Sequence, residues 1–142
     1  MTGRYIVDAS VAVKWFVPEV LSDRAEALLR AETELIAPRL IIKEVANAFW
    51  KKHRQNLVTS DAALADILSL PRYFRMLADD ETYISRAFEL AVSHGHPLYD
   101  MIYLVASIEN DARVITAYQR FIAKISGTPH SRFMVSLSDW HP

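Results

Sequence analysis

The 142-residue sequence contains no cysteine and only three glycines. The absence of cysteine excludes disulfide bonds, thiolate zinc sites and cysteine nucleophiles. With so few glycines, neither a GxGxxG motif nor a Walker loop for gripping phosphates is present. The thiol-based enzymes and the usual nucleotide-binding fingerprints are therefore excluded.

Strong charge of one sign and long apolar runs are also missing. The net charge is −1, so no overall basic field indicates a nucleic-acid binder. Lys14, Arg39 and Lys43 interrupt the stretches that come nearest to the roughly 20 apolar residues of a membrane-spanning helix. The opening MTGRYIVDAS lacks the basic-then-apolar layout of a secretory signal. We therefore expect a cytoplasmic protein without membrane contact.

Apolar residues make up 51% of the sequence, which is enough to form one hydrophobic core. We therefore predict a single domain over residues 1–142. Short apolar runs alternate with amphipathic stretches. The predicted strands are residues 5–7, 34–37, 73–77, 113–116 and 133–136. The predicted helices are residues 22–31, 38–55, 60–70, 81–93, 97–111 and 118–125, with caps at Ser22, at Ser60 or Thr59, and at Asp80, and with Pro38 as a helix start. This alternation predicts an α/β fold with a parallel sheet covered on both faces.

An aspartate follows the first predicted strand directly. In open α/β sheets, functional groups collect at the carboxyl ends of strands, which is where Asp8 lies. The alternative is that Asp8 only caps a helix that begins near Ser10.

Two further acids lie at the core edge of predicted helices. Glu44 borders the predicted buried stripe of Ile42, Val45, Ala46 and Phe49, where burial disfavours its charge unless a cation compensates. The alternative is that this long side chain simply reaches water. Asp100 lies early in its helix, where the helix dipole alone is a sufficient explanation. Taken together, three converging carboxylates suit Mg²⁺ or Mn²⁺.

Four motifs occur in the order and at the spacing seen in PIN-domain nucleases. They are Ile6-Val7-Asp8-Ala9-Ser10, Glu44-Val45-Ala46-Asn47, Leu98-Tyr99-Asp100-Met101-Ile102-Tyr103-Leu104 and Val114-Ile115-Thr116-Ala117. The sequence resembles this family from Tyr5 to about Ser136, and within it the VapC-type toxins of prokaryotic toxin–antitoxin pairs. The resemblance implies a three-layer α/β/α sandwich and an acidic pocket that holds Mg²⁺ or Mn²⁺ and cleaves RNA. It also implies a homodimer and a small antitoxin partner that blocks the pocket.

The resemblance also implies roles for individual residues. The family's acidic positions are matched by Asp8, Glu44 and Asp100, and its supporting polar positions by Ser10, Asn47 and Thr116. One position departs from the family, because Tyr118 stands where a fourth acid is common. A tyrosine is a poor ligand for a hard cation at neutral pH, so a second metal is expected to bind weakly or not at all. The alternative function is therefore a PIN-fold module that binds RNA or a protein without cleavage.

Two smaller features complete the candidates. Lys51, Lys52 and Arg54 form a basic run at the end of the helix that carries Glu44. They are candidate RNA-phosphate contacts, or else cations that favour a helix C-terminus. His94 and His96 flank Gly95, and without a third ligand nearby we interpret them as part of a surface turn.

Overall fold

Five parallel strands form the central sheet of the computed structural model, which describes residues 3–142. The strands are β1 (Arg4–Val7), β2 (Glu34–Pro38), β3 (Met76–Ala78), β4 (Arg113–Thr116) and β5 (Met134–Ser136). Their order is β3-β2-β1-β4-β5, and Ile6 of β1 stands opposite Ile36 of β2 and Val114 of β4. The predicted parallel sheet is confirmed. The predicted single domain includes Met1 and Thr2, which lie outside the described residues, and it stays a prediction.

Helices cover both faces of this sheet, as the predicted three-layer α/β/α sandwich requires. They are α1 (Ala9–Ala12), α2 (Ser22–Arg30), α3 (Leu40–Arg54), α4 (Ser60–Ser69), α5 (Ile84–His94), α6 (Leu98–Glu109) and α7 (Gln119–Ile125). Helix α6 packs between α5 and strands β2, β1 and β4, so residues 101–107 are all buried. Within residues 3–142, no helix has the length and apolar character needed to cross a membrane.

The helix start predicted at Pro38 and the caps predicted at Ser22 and Asp80 were wrong, although α2 does begin at Ser22. The cap by Thr59 is confirmed, since its hydroxyl accepts from the Ala62 amide at 3.2 Å. Pro38 ends β2 instead of starting α3, because it pairs in register with Ala78 of β3. The Ser22 hydroxyl does not cap α2, because it accepts a hydrogen bond from the Glu19 amide at 2.8 Å. The cap predicted at Asp80 belongs to Asp79, whose side chain accepts from the Glu81 amide.

Two predicted strands begin too early. Tyr73, the first residue of the third predicted strand, lies instead in a 3-10 turn (Leu70–Tyr73). Phe133, the first residue of the last predicted strand, lies in another (Ser131–Phe133). The aromatic ring of Tyr73 stacks on Trp15 with ring centroids 5.3 Å apart, which keeps Tyr73 out of the sheet. Apolar character alone therefore does not separate a strand from a packed turn.

We predict that the central helix α6 dominates the stability of the fold. Leu104 of α6 is fully buried, so Leu104→Ala should lower the free energy of unfolding by about 2–5 kcal/mol, through lost burial and the cavity left behind. Leu68 of α4 is 71% exposed and provides a matched control, because Leu68→Ala should change stability by less than about 0.5 kcal/mol. Urea denaturation followed by circular dichroism measures both, and equal losses would contradict the central place of α6.

Candidate active site

Asp8 lies at the carboxyl end of β1, where its amide donates to the Ile115 carbonyl of β4 at 3.0 Å. Its side chain is buried and, although Asp8 occupies the N-cap position of α1, it makes no side-chain capping hydrogen bond of ordinary geometry. Instead, Oδ2 accepts hydrogen bonds from the Ser10 hydroxyl at 2.6 Å and the Thr116 hydroxyl at 2.7 Å. Burial raises the pKa of the Asp8 carboxyl, and the two hydroxyls oppose that rise.

Glu44 is partly buried, at the edge of the core face of α3. In α3, Ile41 is fully buried while Ile42 is only partly buried, so the apolar stripe is rotated towards Ile41 and Glu44. As a result, Oε1 of Glu44 is buried without a hydrogen-bond partner. The alternative in which Glu44 reaches water therefore does not describe this oxygen.

The charge of Glu44 is unfavourable in this setting. Burial is the largest cause that raises its pKa from 4.5 to about 7, and repulsion from Asp8 and Asp100 adds to it. The Tyr103 hydroxyl acts in the opposite direction, although it too is buried outside ordinary hydrogen-bond geometry. A cation beside Glu44 would restore its ionised form.

Asp100 lies in the first turn of α6 and is paired with a histidine. Nε2 of His96 is 2.5 Å from Oδ2 of Asp100, and the imidazole stacks on the ring of Phe121 at 5.5 Å between centroids. Burial raises the pKa of Asp100, the His96 hydrogen bond lowers it, and the charge of Asp8 raises it.

The surface turn predicted at His94 and His96 was therefore wrong for His96, which is buried. The signal that was missed is the four-residue spacing to Asp100, the spacing at which side chains meet along a helix. His94 points elsewhere, with its Nε2 3.2 Å from Nδ1 of His130.

The three acids line one cavity of about 550 Å³, together with Ser10 and Tyr118. Tyr118 is 39% exposed, and its amide is fixed by the Thr116 hydroxyl at 3.0 Å. Across residues 3–142, no three acidic or histidine side chains already form a metal-ligand cluster. The donor set nevertheless fits a hard divalent ion, because the carboxylates share one cavity, repel one another and leave Oε1 of Glu44 without a partner.

Three of the remaining candidates, Asn47, Lys51 and Lys52, line this cavity or the one beside it. Asn47 lines an adjoining cavity of about 500 Å³ that shares Ser10, Glu44 and Lys51 with the first. Lys51 and Lys52 both line the acidic cavity. Arg54 lines neither, since its guanidinium lies over the Trp50 ring, 5.2 Å from the centroid.

Comparison with known proteins assigns the chain to a family. The PIN domain model matches residues 5–125. Ribonuclease VapC3 of Pyrobaculum aerophilum is 30% identical over 123 residues, which cover 85% of this chain and 94% of that protein. The crystal structure of PAE2754 from Pyrobaculum aerophilum has a TM-score of 0.69 at 22% identity, covers 97% of this chain and 89% of its own, and shows a shared fold. Because the family model spans most of the sequence, the chain belongs to the PIN domain family.

Proposed function

We propose that this protein is a divalent-metal-dependent endoribonuclease and the toxin of a type II toxin–antitoxin pair. The observation that carries the proposal is the buried, unpartnered Oε1 of Glu44 in a cavity shared with Asp8 and Asp100. Such an arrangement is costly without a cation and suits Mg²⁺ or Mn²⁺. The relative named Ribonuclease VapC3 supports the reaction class.

Some residues of the cavity are proposed to bind the ion, and others fix the side chains that bind it. Asp8, Glu44 and Asp100 are the proposed ligands, directly or through water. The hydroxyls of Ser10 and Thr116 fix Asp8, and the His96 imidazole fixes Asp100. When bound, the divalent ion supplies an activated water and neutralises charge at the phosphodiester.

Cations near the acids support a nucleic-acid substrate. Lys51 and Lys52 line the acidic cavity and are proposed to contact RNA phosphates, whereas Arg54 lies against Trp50 and is the weaker candidate. Asn47 lines the adjoining cavity and is proposed to contact the same strand beyond the acids. Because cellular RNA is found in the cytoplasm, the proposed activity would take place there.

Two protein partners are part of the proposal: a second copy of the chain, and a small antitoxin that blocks the acidic cavity. The resemblance to VapC-type toxins implies both. Ile84, Phe88 and Val92 support a protein contact, because they follow one another at four-residue spacing along α5 and are all exposed.

The test of the proposed function removes single charges from the cavity. Glu44→Gln keeps the size of the side chain, so the fold should survive while Mn²⁺-dependent cleavage of RNA falls by at least about 100-fold. Asp100→Asn should largely abolish the rise in melting temperature that saturating Mn²⁺ produces in the wild type, since only a ligand that favours the folded state stabilises it.

Glu89→Gln is the matched control, because Glu89 is an exposed glutamate of α5 and should cleave as the wild type does. If the wild type binds neither ion in calorimetry, the alternative of a PIN-fold module without cleavage replaces the nuclease. If Glu44→Gln cleaves at the wild-type rate, Glu44 has no part in the reaction.

The pH dependence of stability follows from the raised pKa of Glu44. The folded chain holds this proton up to about pH 7, whereas the unfolded chain releases it near pH 4.5. Folding therefore binds protons in this window, and metal-free stability should fall as the pH rises through it and level off above pH 7. Glu44→Gln should flatten part of this fall in urea titrations, and Glu89→Gln should not. A metal-free protein that gains stability across the same window would contradict the raised pKa.

Tyr118 is the position at which an added acid should increase activity. Tyr118→Asp places a carboxylate in the wall of the acidic cavity, so Mn²⁺ affinity and the cleavage rate should rise together. Tyr118→Phe, which removes only the hydroxyl, should leave Mn²⁺ affinity unchanged. Calorimetric titration of both variants measures this, and an unchanged affinity in a folded Tyr118→Asp protein would mean that position 118 does not reach the ion.

A further inference from the structure

One wall of the acidic cavity is formed by two lysines, Lys14 and Lys52, and the Glu19 carboxylate forms an ion pair with each of them. Lys14 comes from the 3-10 turn (Val13–Trp15) after α1, Lys52 from the last turn of α3, and both line the cavity. Oε1 of Glu19 lies 3.3 Å from the Lys14 ammonium, and Oε2 of Glu19 accepts a hydrogen bond from the Lys52 ammonium. The two lysine side chains are only 11% and 16% exposed, so both are largely fixed.

Glu19 is itself held in place by the backbone of its turn. Its amide donates to the Ser22 hydroxyl at 2.8 Å, and its carbonyl accepts from the Ser22 amide at 3.1 Å. Leu21 completes the turn with a φ of 69°, in the left-handed region. The hydroxyl that was predicted to cap α2 therefore positions the carboxylate that bridges the lysines.

The bridge is ionised under ordinary conditions. Burial tends to raise the pKa of Glu19, but the Lys52 hydrogen bond and the charges of Lys14 and Lys52 outweigh it and lower the pKa. The wall thus carries two positive charges and one negative charge. It faces a cavity that also holds Asp8, Glu44 and Asp100, so an unrestrained lysine would be drawn onto those acids.

The wall has unused hydrogen-bonding capacity. An ammonium group has three donors, and Glu19 engages each lysine through a single oxygen, which leaves donors for a ligand on both. Because the lysines are already fixed, a ligand that contacts both loses little side-chain entropy. The complementary ligand is a chain of closely spaced anions that passes the acids, and the phosphates of single-stranded RNA have that form.

We propose that Lys14 and Lys52 are a phosphate-binding wall for the RNA strand, and that Glu19 is a positioning residue that keeps both ammonium groups away from Asp8, Glu44 and Asp100. This inference rests on the proposed ribonuclease function and adds a site for the substrate backbone.

The test asks whether loss of Glu19 weakens RNA binding, as a positioning role predicts, or strengthens it, as loss of a negative charge alone would. A fluorescent single-stranded RNA is titrated against full-length protein in an Asp8→Asn background, so that the probe stays intact. Lys14→Gln and Lys52→Gln should each weaken RNA binding about tenfold, as expected for loss of a hydrogen bond between charged groups. Each should also reduce the slope of log affinity against log salt by about 0.7. Glu19→Gln frees both lysines to move onto the remaining acids of the cavity, so it should weaken RNA binding although it removes a negative charge.

The controls separate charge from folding. Lys124→Gln changes the net charge equally at an exposed site on α7 and should bind RNA as the background protein does. Lys52→Arg keeps the positive charge and should retain RNA affinity. If Lys14→Gln fails to fold, the comparison of Lys52→Arg with Lys52→Gln still shows whether RNA binding needs the charge at position 52. If Glu19→Gln strengthens RNA binding while circular dichroism shows an intact fold, Glu19 only repels the phosphates and its positioning role is wrong.

The outcomes also distinguish this proposal from the ribonuclease function. Mn²⁺-dependent cleavage by the wild type, with RNA affinity unaffected by Lys14→Gln and Lys52→Gln, would overturn the wall alone. Lysine-dependent RNA binding without cleavage would remove the nuclease and leave the wall. If polyglutamate binds in a lysine-dependent manner and RNA does not, the wall takes an acidic protein partner and the RNA proposal is wrong.

Discussion

The hydrogen bonds from Ser10 and Thr116 to Oδ2 of Asp8 join the ends of β1 and β4. A buried carboxylate is tolerated there because two hydroxyls donate to it. The same two oxygens accept from the amides of Ala117 and Tyr118, so they also fix the chain where it leaves β4. The position of Asp8 and the placement of Tyr118 at the cavity therefore depend on one small network.

Burying three carboxylates close together disfavours their ionised forms, and the side chains around them partly offset this electrostatic cost. Each of Asp8, Glu44 and Asp100 has a raised pKa, with burial as the largest cause. For Asp8 and Asp100 this cost is partly offset by hydroxyl and imidazole partners, whereas Oε1 of Glu44 has only the nearby Tyr103 hydroxyl, outside ordinary hydrogen-bond geometry. The site is electrostatically unbalanced in the one place where the proposed ion would bind. The lysine pair on the adjoining wall is balanced separately, by Glu19.

Sequence patterns predicted the elements better than their boundaries. The strand that ends at Asp8 and the helices that carry Glu44 and Asp100 all follow from apolar periodicity. Pro38 was misassigned because its place in the sheet depends on Ala78, which lies in another strand. The buried face of α3 was misplaced by about 100°, the angle between Ile41 and Ile42, and this error cannot be detected until the neighbouring elements are in place. In both cases, the deciding contact is distant in sequence.

The sequence by itself determined the alternation of strands and helices, the exclusion of thiol chemistry, and the order and spacing of the three acids. These properties depend on residue types and on periods that each segment carries alone. Only the tertiary structure decided that His96 pairs with Asp100, that Oε1 of Glu44 has no partner, and that Glu19 bridges to Lys52 across 33 positions. The physical reason is that burial and electrostatic interaction depend on distance through space, which is set only when separate elements pack against one another.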